Sequence, residues 1–402
     1  MTAGAVVVVG AGSAGLAVSH RLRAAGVDHV VLERGRVAQA WRDRWDSFTL
    51  VTPNWTLRLP DSEPTGADPE GHVDREAIIA FLQGYAAGRA GSVREGVRVD
   101  AITRGATSRL RLVTSEGDLA ADTVVVCTGA FQRPHLPAAL SGLTGPAVLD
   151  STSYRRPADL PDGRVLVVGS GQTGVQLAEE LHLAGREVVL ACGRAPWSPR
   201  RLDGLDVVTW LERAGFFDLP RSALPAPEAR LWGNIQATGA RGGHDLHYRV
   251  LQDLGVTLAG RVDRVADGWV SFAGDLAESV AFGDARLADL GRLLRDRLGR
   301  DAPEVPQPVP FVADPPRGIR VADLAAVLVT SGFRPDYARW VRLPVFDASG
   351  FPLTHEDLST AVPGLYFCGV HFLRNRRSSL LWGVGDDADV VVRTLVRERV
   401  HP

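Results

Sequence analysis

The stretch Val6-Val-Val-Val-Gly10-Ala-Gly12-Ser13-Ala14-Gly15 constrains this chain more than any other. Four consecutive valines suit a strand buried on both faces of a parallel sheet. The glycines follow with G-x-G-x-x-G spacing. Gly10 allows a tight turn, Gly12 lets backbone approach a pyrophosphate, and Gly15 lets the helix pack close to the strand. Ala14 to Ala25 reads as a helix whose N-terminus offers free N–H groups and a positive dipole end. A second strand, His29 to Leu32, ends in Glu33-Arg34, and a carboxylate there can accept hydrogen bonds from both hydroxyls of an adenosine ribose. Strand, turn, helix and acid together predict a dinucleotide-binding unit. The alternative is a tight βαβ turn with no ligand.

The pattern recurs midway. Arg164-Val-Leu-Val-Val-Gly169-Ser170-Gly171-Gln172-Thr173-Gly174 is again a strand followed by a glycine turn and a helix, Val175 to Ala184. The next strand, Glu187 to Leu190, ends without an acid, and Arg194 stands close by instead. That replacement suits a ribose carrying a 2′-phosphate, so NADP(H) is expected over NAD(H). Arg200 and Arg201 could add to the same phosphate site or belong to a solvated loop. Two such units mean two dinucleotides, or one and its relic. FAD in the first and NADPH in the second would support hydride transfer from nicotinamide to flavin.

The expected fold is α/β, with two Rossmann-like dinucleotide-binding domains and the NADP domain inserted into the FAD domain. The FAD domain is expected over residues 1–155 and 318–402, and the NADP(H) domain over 156–317. A length of 402 residues accommodates both. Between the motifs, Asp74 to Ala87 reads as a helix capped by Asp74, with Ile78, Phe81, Leu82 and Tyr85 on one face. Val97 to Ile102 (with Val99), Arg109 to Thr114 and Leu119 to Cys127 read as strands. The last leads into Thr128-Gly129, small residues where backbone can again approach a dinucleotide. Val256 to Val265 and Trp269 to Phe272 read as strands, and Ala285 to Leu298 as a helix. The Pro-rich Asp301 to Arg317 reads as a return linker.

A net charge of −2 gives no electrostatic reason to expect nucleic acid or an anionic membrane as partner. No apolar run reaches bilayer length and no signal peptide is apparent, so a cytoplasmic location is the expectation. Cys127, Cys192 and Cys368 are far apart and form no C-x-x-C, which argues against a dithiol–flavin disulfide reductase. His244 and His247 lie three apart with no third ligand nearby, and no metal is expected. Trp41-Arg42-Asp43-Arg44-Trp45 could stack on and clamp a cofactor or serve as core and surface of a long connection. Asn54 could hydrogen-bond at a flavin edge or simply hold a turn. Leu202 to Arg249 is compatible with an insertion that covers an active site. His371 could contact a ring system or pack at a strand end. Arg374, Arg376 and Arg377 could reach an acidic substrate or phosphate, or be solvated.

The chain resembles the single-component FAD- and NADPH-dependent flavoprotein monooxygenases, which include N-hydroxylating, S-oxidising, Baeyer–Villiger and plant auxin-forming members. The resemblance covers nearly the whole length. It rests on both glycine motifs, on Thr128-Gly129, on Ser331-Gly332-Phe333-Arg334-Pro335-Asp336, and on Val362-Pro-Gly-Leu-Tyr-Phe-Cys-Gly369. One departure concerns the fingerprint F-x-G-x-x-x-H-S-x-x-Y/W. Ser151 and Tyr154 match, but Asp150 stands where the His belongs, Gly145 is one residue too far away and the Phe is missing. Val370, where many flavin reductases have Asp, is shared with the monooxygenases.

The resemblance implies that Val99, Gly369 and His371 join the cofactor contacts. It implies that one oxygen atom of O₂ passes, through a flavin hydroperoxide, to a small substrate reacting at nitrogen, sulfur or a carbonyl carbon. Asn54 is the candidate for a polar group at the reacting edge. The alternatives on the same scaffold are an FAD-dependent oxidase or NAD(P)H oxidoreductase without oxygen transfer, and a redox-sensing flavoprotein. The oligomeric state stays open, a homodimer being one option.

Overall fold

The computed structural model describes residues 5–63, 68–106 and 109–400. Two five-stranded parallel sheets form its frame. The opening strand, Val6–Val9, lies between His29–Leu32 and Thr123–Val126, with Leu365–Phe367 and Ser92–Arg94 at the two edges. Its four valines are at most 5% exposed, as a strand covered on both faces requires. The second sheet centres on Arg164–Val168, flanked by Val188–Ala191 and Leu324–Val329, with Thr257–Ala259 and Ala147–Asp150 outside them. Strands 147–150 and 324–329, counted with the first unit in the sequence, therefore pair into the second sheet. Each sheet carries a three-stranded antiparallel companion, 99–121 beside the first and 262–320 beside the second.

Both glycine turns follow one construction. Gly10 and Gly169 have φ of +104° and +103°, which favours glycine. A Cβ on Gly15 would stand 1.8 Å from the Gly10 carbonyl oxygen, and one on Gly174 would stand 1.9 Å from that of Gly169. Any side chain there would push the helix off its strand. The helices, Ser13–Ala24 and Gln172–Leu183, begin immediately after the turns. By contrast, a Cβ on Gly12 or Gly171 would meet nothing within 4 Å. The first and third glycines thus serve packing, and the second leaves bare backbone facing open space.

Most other elements fall where periodicity places them. Asp74 caps the helix Arg75–Arg89 by accepting from the Ala77 N–H at 2.8 Å. The helix expected from Ala285 starts earlier and runs Leu276–Leu298. The strand expected over 256–265 divides in two. Thr257–Ala259 joins the second sheet and Val262–Ala266 joins its antiparallel companion, the chain turning at Gly260. A Cβ on Gly260 would lie 1.9 Å from the Ala273 carbonyl oxygen, so the break is built into the packing.

The two kinds of glycine predict opposite phenotypes. Gly15→Ala or Gly174→Ala should lose about 3 kcal/mol or more of stability, because the clash is with backbone that cannot turn aside. Gly12→Ala should unfold within about 0.5 kcal/mol of the parent in urea. Equal losses at Gly12 and Gly15 would contradict this division.

Candidate active site

The C-terminal ends of both parallel sheets open onto one continuous cavity of about 1670 Å³. Ligands of open α/β sheets bind at those ends. Gly10, Gly12, Ser13, Ala14, Glu33, Arg34, Trp41, Val99, Thr128, Gly129, Gly369 and His371 line its first part. Gly169, Ser170, Gly171, Gln172, Thr173 and Arg194 line its second. Gly15 and Gly174 stay behind the wall as packing glycines. The Glu33 carboxylate is 7% exposed and accepts from the Ala11 N–H at 2.8 Å and the Gly35 N–H at 2.9 Å. Those bonds orient it across the mouth of the first glycine turn.

Several expected contacts lie elsewhere. Arg42 does not line the cavity; its Nε donates back to the Val37 carbonyl at 3.3 Å. Asn54 is also outside the cavity wall. Its Nδ2 donates to the Asp68 carbonyl (2.9 Å) and its Oδ1 accepts from the Val73 N–H (2.7 Å). The amide thus pins the 68–73 loop and is not free to act at a reacting edge. Arg200 is 2% exposed and donates through Nε to Asp206 at 2.7 Å, with buried His72 at 3.6 Å from the same carboxylate. Arg201 donates to the carbonyls of Gly242 and Gly243. Neither arginine faces the second glycine turn. The long-range partners, Asp245 and Gly243 among them, could not be foreseen from local sequence.

The arginine that stands near Gly193 is instead Arg261. It follows the strand Thr257–Ala259, which pairs beside Val188–Ala191, and its side chain passes 3.9 Å from the Cβ position of Gly193. It lines the cavity with Arg194 and pairs with Asp275. No local motif marks it.

Asp150, the residue at the fingerprint's histidine position, ends its strand in a tight turn. Its Oδ1 accepts from the Thr152 N–H (2.7 Å), the Ser153 N–H (3.1 Å) and the Thr152 hydroxyl. Its carboxylate is committed to that turn, while the neighbouring Ser151 lines the cavity. Cys127 and Cys368 end adjacent parallel strands in register and become neighbours, which their sequence separation hides. They are 3% and 0% exposed, and the Cys127 contact with burial holds the Cys368 thiol well above the ordinary range. A thiol held protonated by burial, as at Cys368, is a poor nucleophile.

The third part of the wall comes from the 202–249 segment and the loop after Gly369. Phe216, Phe217, Phe372 and Trp382 contribute, with Leu290 added from the helix Leu276–Leu298. Phe217 meets Phe216 and Trp382 edge-on, at 5.4 and 5.2 Å between ring centres. Three amides tie this segment to the second glycine turn and helix. Gln236 Nε2 donates to the Ser170 carbonyl (2.7 Å), Gln172 Nε2 to that of Ile235 (3.2 Å), and Gln176 Nε2 to that of Ala237 (2.8 Å). The Ser170 hydroxyl meets that of Tyr248 at 2.5 Å and accepts from the Gly193 N–H at 2.8 Å.

His371 sits edge-on to Phe131 and shares a 2.7 Å hydrogen bond with Ser379. Burial, with Arg230 nearby, pushes its pKa down to about 4, so it is neutral at pH 7. His244 contacts Glu179 at 2.7 Å, whereas His247 packs against Trp197 at a tilt, 4.2 Å between centres, so the two rings serve different contacts. Among the described residues, no helix is long and apolar enough to cross a membrane.

The family described as pyridine nucleotide-disulphide oxidoreductase matches residues 7–212. An uncharacterized CzcO-like oxidoreductase of Geobacillus kaustophilus is 27% identical over 400 residues, 97% of this chain and 98% of that protein. A Baeyer-Villiger monooxygenase of Streptomyces coelicolor is 31% identical over 238 residues, 57% of this chain and 44% of that protein. The solved structure of a flavin-containing monooxygenase from Stenotrophomonas maltophilia has a TM-score of 0.66 at 20% identity, covering 98% of this chain and 99% of that one. At that identity the likeness is one of fold.

Two outcomes follow from the buried polar groups. Arg200→Ala strands Asp206 and should cost about 3–5 kcal/mol in chemical denaturation. It should leave any preference between NADPH and NADH unchanged. His247 is 9% exposed, with an Nδ1 that has no hydrogen-bond partner, and burial pushes its pKa down to about 4. Its folded pKa lies below its unfolded one, so the neutral ring's contribution is complete above about pH 6.5. That contribution fades as pH falls toward 4. His247→Phe should flatten the acid limb of a thermal-stability profile by up to about 1.4 kcal/mol per pH unit. An unchanged limb would place the acid sensitivity elsewhere.

Proposed function

Because the chain belongs to the pyridine nucleotide-disulphide oxidoreductase family and is a flavin-dependent oxidoreductase using FAD and NADP(H), we propose that it is an NADPH-consuming monooxygenase acting on a small substrate. The observation that carries this reading is the single cavity shared by both glycine turns and an aromatic wall. The open space at Gly12 and Gly171, which a Cβ would fill, fits a pyrophosphate drawn against each backbone.

In this reading the first unit holds FAD. Glu33 receives the ribose hydroxyls, the helix N-terminus at Ser13–Ala14 faces the pyrophosphate, and Gly129, Gly369 and His371 border the ring. The second unit holds NADPH, with the N–H groups of Gln172 and Thr173 at its pyrophosphate. Arg194 and Arg261 face the 2′-phosphate. Bound flavin supplies the acceptor for the nicotinamide hydride and, once reduced, the electrons for O₂. The chain's own work is orientation and exclusion of water. Phe216, Phe217 and Trp382 present an apolar face to the substrate. Neutral His371 holds no charge beside the ring.

The disulfide chemistry of the wider family finds no support here. Cys127 and Cys368 are buried beneath the first glycine turn, and Cys192 is buried and held well above its ordinary pKa by desolvation. An oxidase or NAD(P)H oxidoreductase without oxygen transfer is the rival on the same scaffold, favoured by the committed Asp150 carboxylate, which departs from the monooxygenase fingerprint.

Anaerobic NADPH should bleach the flavin absorbance of the purified protein. On admission of oxygen, NADP⁺ should slow reoxidation and suppress release of hydrogen peroxide. Prompt reoxidation with one peroxide per NADPH at every NADP⁺ concentration would instead establish the oxidase. Arg194→Ala and Arg261→Ala should each raise the KM for NADPH about tenfold with little change for NADH. Equal effects on both nucleotides would remove the 2′-phosphate assignment.

A further inference from the structure

Three arginines stand in one turn, and their surroundings differ. Arg374 reaches the buried carboxylate of Asp387 at 3.3 Å. Arg377 pairs with Glu212 at 3.3 Å and Asp218 at 2.7 Å. Arg376, between them, lines the cavity. Among the described residues its guanidinium meets no carboxylate, and its buried Nε has no hydrogen-bond partner. Its neighbours are two rings, Phe216 with its centre at 4.2 Å and Phe372 at 5.0 Å. A buried N–H of a guanidinium left without an acceptor is costly, and ring faces compensate only part of that cost.

The surrounding backbone holds Arg376 in place. Asn375 and Ser378 form a capping box around the turn Arg376–Ser379. The Arg376 N–H donates to the Leu219 carbonyl (3.1 Å), and the Arg221 N–H to that of Arg374 (2.9 Å). Phe372 has φ of +51°, a strained conformation for a bulky residue, and Arg230 donates to its carbonyl at 3.1 Å. Strain of this kind persists where the surroundings over-determine it, commonly at binding sites. Arg44 is a second guanidinium set against rings, Phe48 and Phe131. It belongs to the segment tied to the first glycine turn by Ala38 N–H and the Ala11 carbonyl, which places it on the cofactor side.

We propose that Arg376 is the recognition point for the substrate's carboxylate, and that the substrate is an aromatic or similarly flat apolar acid. The acid group meets the guanidinium while the apolar body lies along Phe216, Phe217 and Trp382. A guanidinium presents a planar fork matched to a carboxylate, and the contiguous rings supply the apolar floor. The other source of an anion at this point is a phosphate of the bound nucleotide. The proposal rests on the monooxygenase reading for the term substrate, but binding is measured without turnover.

The test uses the FAD-loaded full chain, with 3-phenylpropanoate and 2-naphthoate as probes and their primary amides as neutral controls. Binding is read from the flavin difference spectrum and from thermal shift. At least one acid should bind about 30-fold or more tightly than its amide. Arg376→Ala should abolish that preference, and Arg376→Lys should restore part of it. The dissociation constant for NADP⁺ should stay within about twofold in both variants. If Arg376→Ala fails to fold, Arg376→Gln and Arg376→Lys carry the same comparison. Failure of both acids to bind, or amides binding as well as acids, would overturn the proposal. A tenfold loss of NADP⁺ affinity with the acid preference intact would assign the guanidinium to a nucleotide phosphate. Failure of NADPH to bleach the flavin in the parent protein would sink the monooxygenase reading alone, leaving the binding result to stand or fall separately.

Discussion

The contact between a glycine and the carbonyl oxygen five residues before it governs this molecule. At Gly15 and again at Gly174 there is room for a hydrogen and nothing larger. That contact sets how close each helix lies to its strand. It therefore fixes where the helix N-terminus points and how near bare backbone comes to the space beyond Gly12 and Gly171. The sheets supply the rest of the frame, the four buried valines of the central strand pairing along their whole length with a neighbour on each side. Everything in the cavity is placed relative to these two turns.

The second unit is threaded into the first through Ala147–Asp150 and Leu324–Val329, both of which pair in the second sheet. The connection brings the C-terminal ends of both sheets to a common space. Charge is distributed unevenly around it. Arg200 and Arg377 are neutralised by carboxylates, whereas Arg194 and Arg376 are not paired with any among the described residues. A buried arginine with a carboxylate partner is part of the fold, and an arginine facing a cavity without one is available to a ligand.

What could be read in the sequence was what local spacing determines. Glycine intervals, valine runs, the acid at Glu33 and the cap at Asp74 each report on neighbours a few residues away, and each appears in the structure. Contacts across long separations were not legible. Asn54 looks like an available amide until the 68–73 loop closes on it. Arg200 and Arg201 look like phosphate ligands until Asp206 and the Gly242–Gly243 carbonyls claim them. Arg261 carries no motif, and reaches its position because Thr257–Ala259 adds as an edge strand beside Val188–Ala191. The pairing of Cys127 with Cys368 likewise depends on strand order, which spacing does not encode.

The amides of Gln172, Gln176 and Gln236 join the 202–249 segment to the turn and helix of the second unit. The same segment carries Phe216 and touches the loop of Arg376 through Leu219. One piece of chain therefore borders two compartments. Its position on one side is therefore set together with its position on the other, and neither border can be repacked alone.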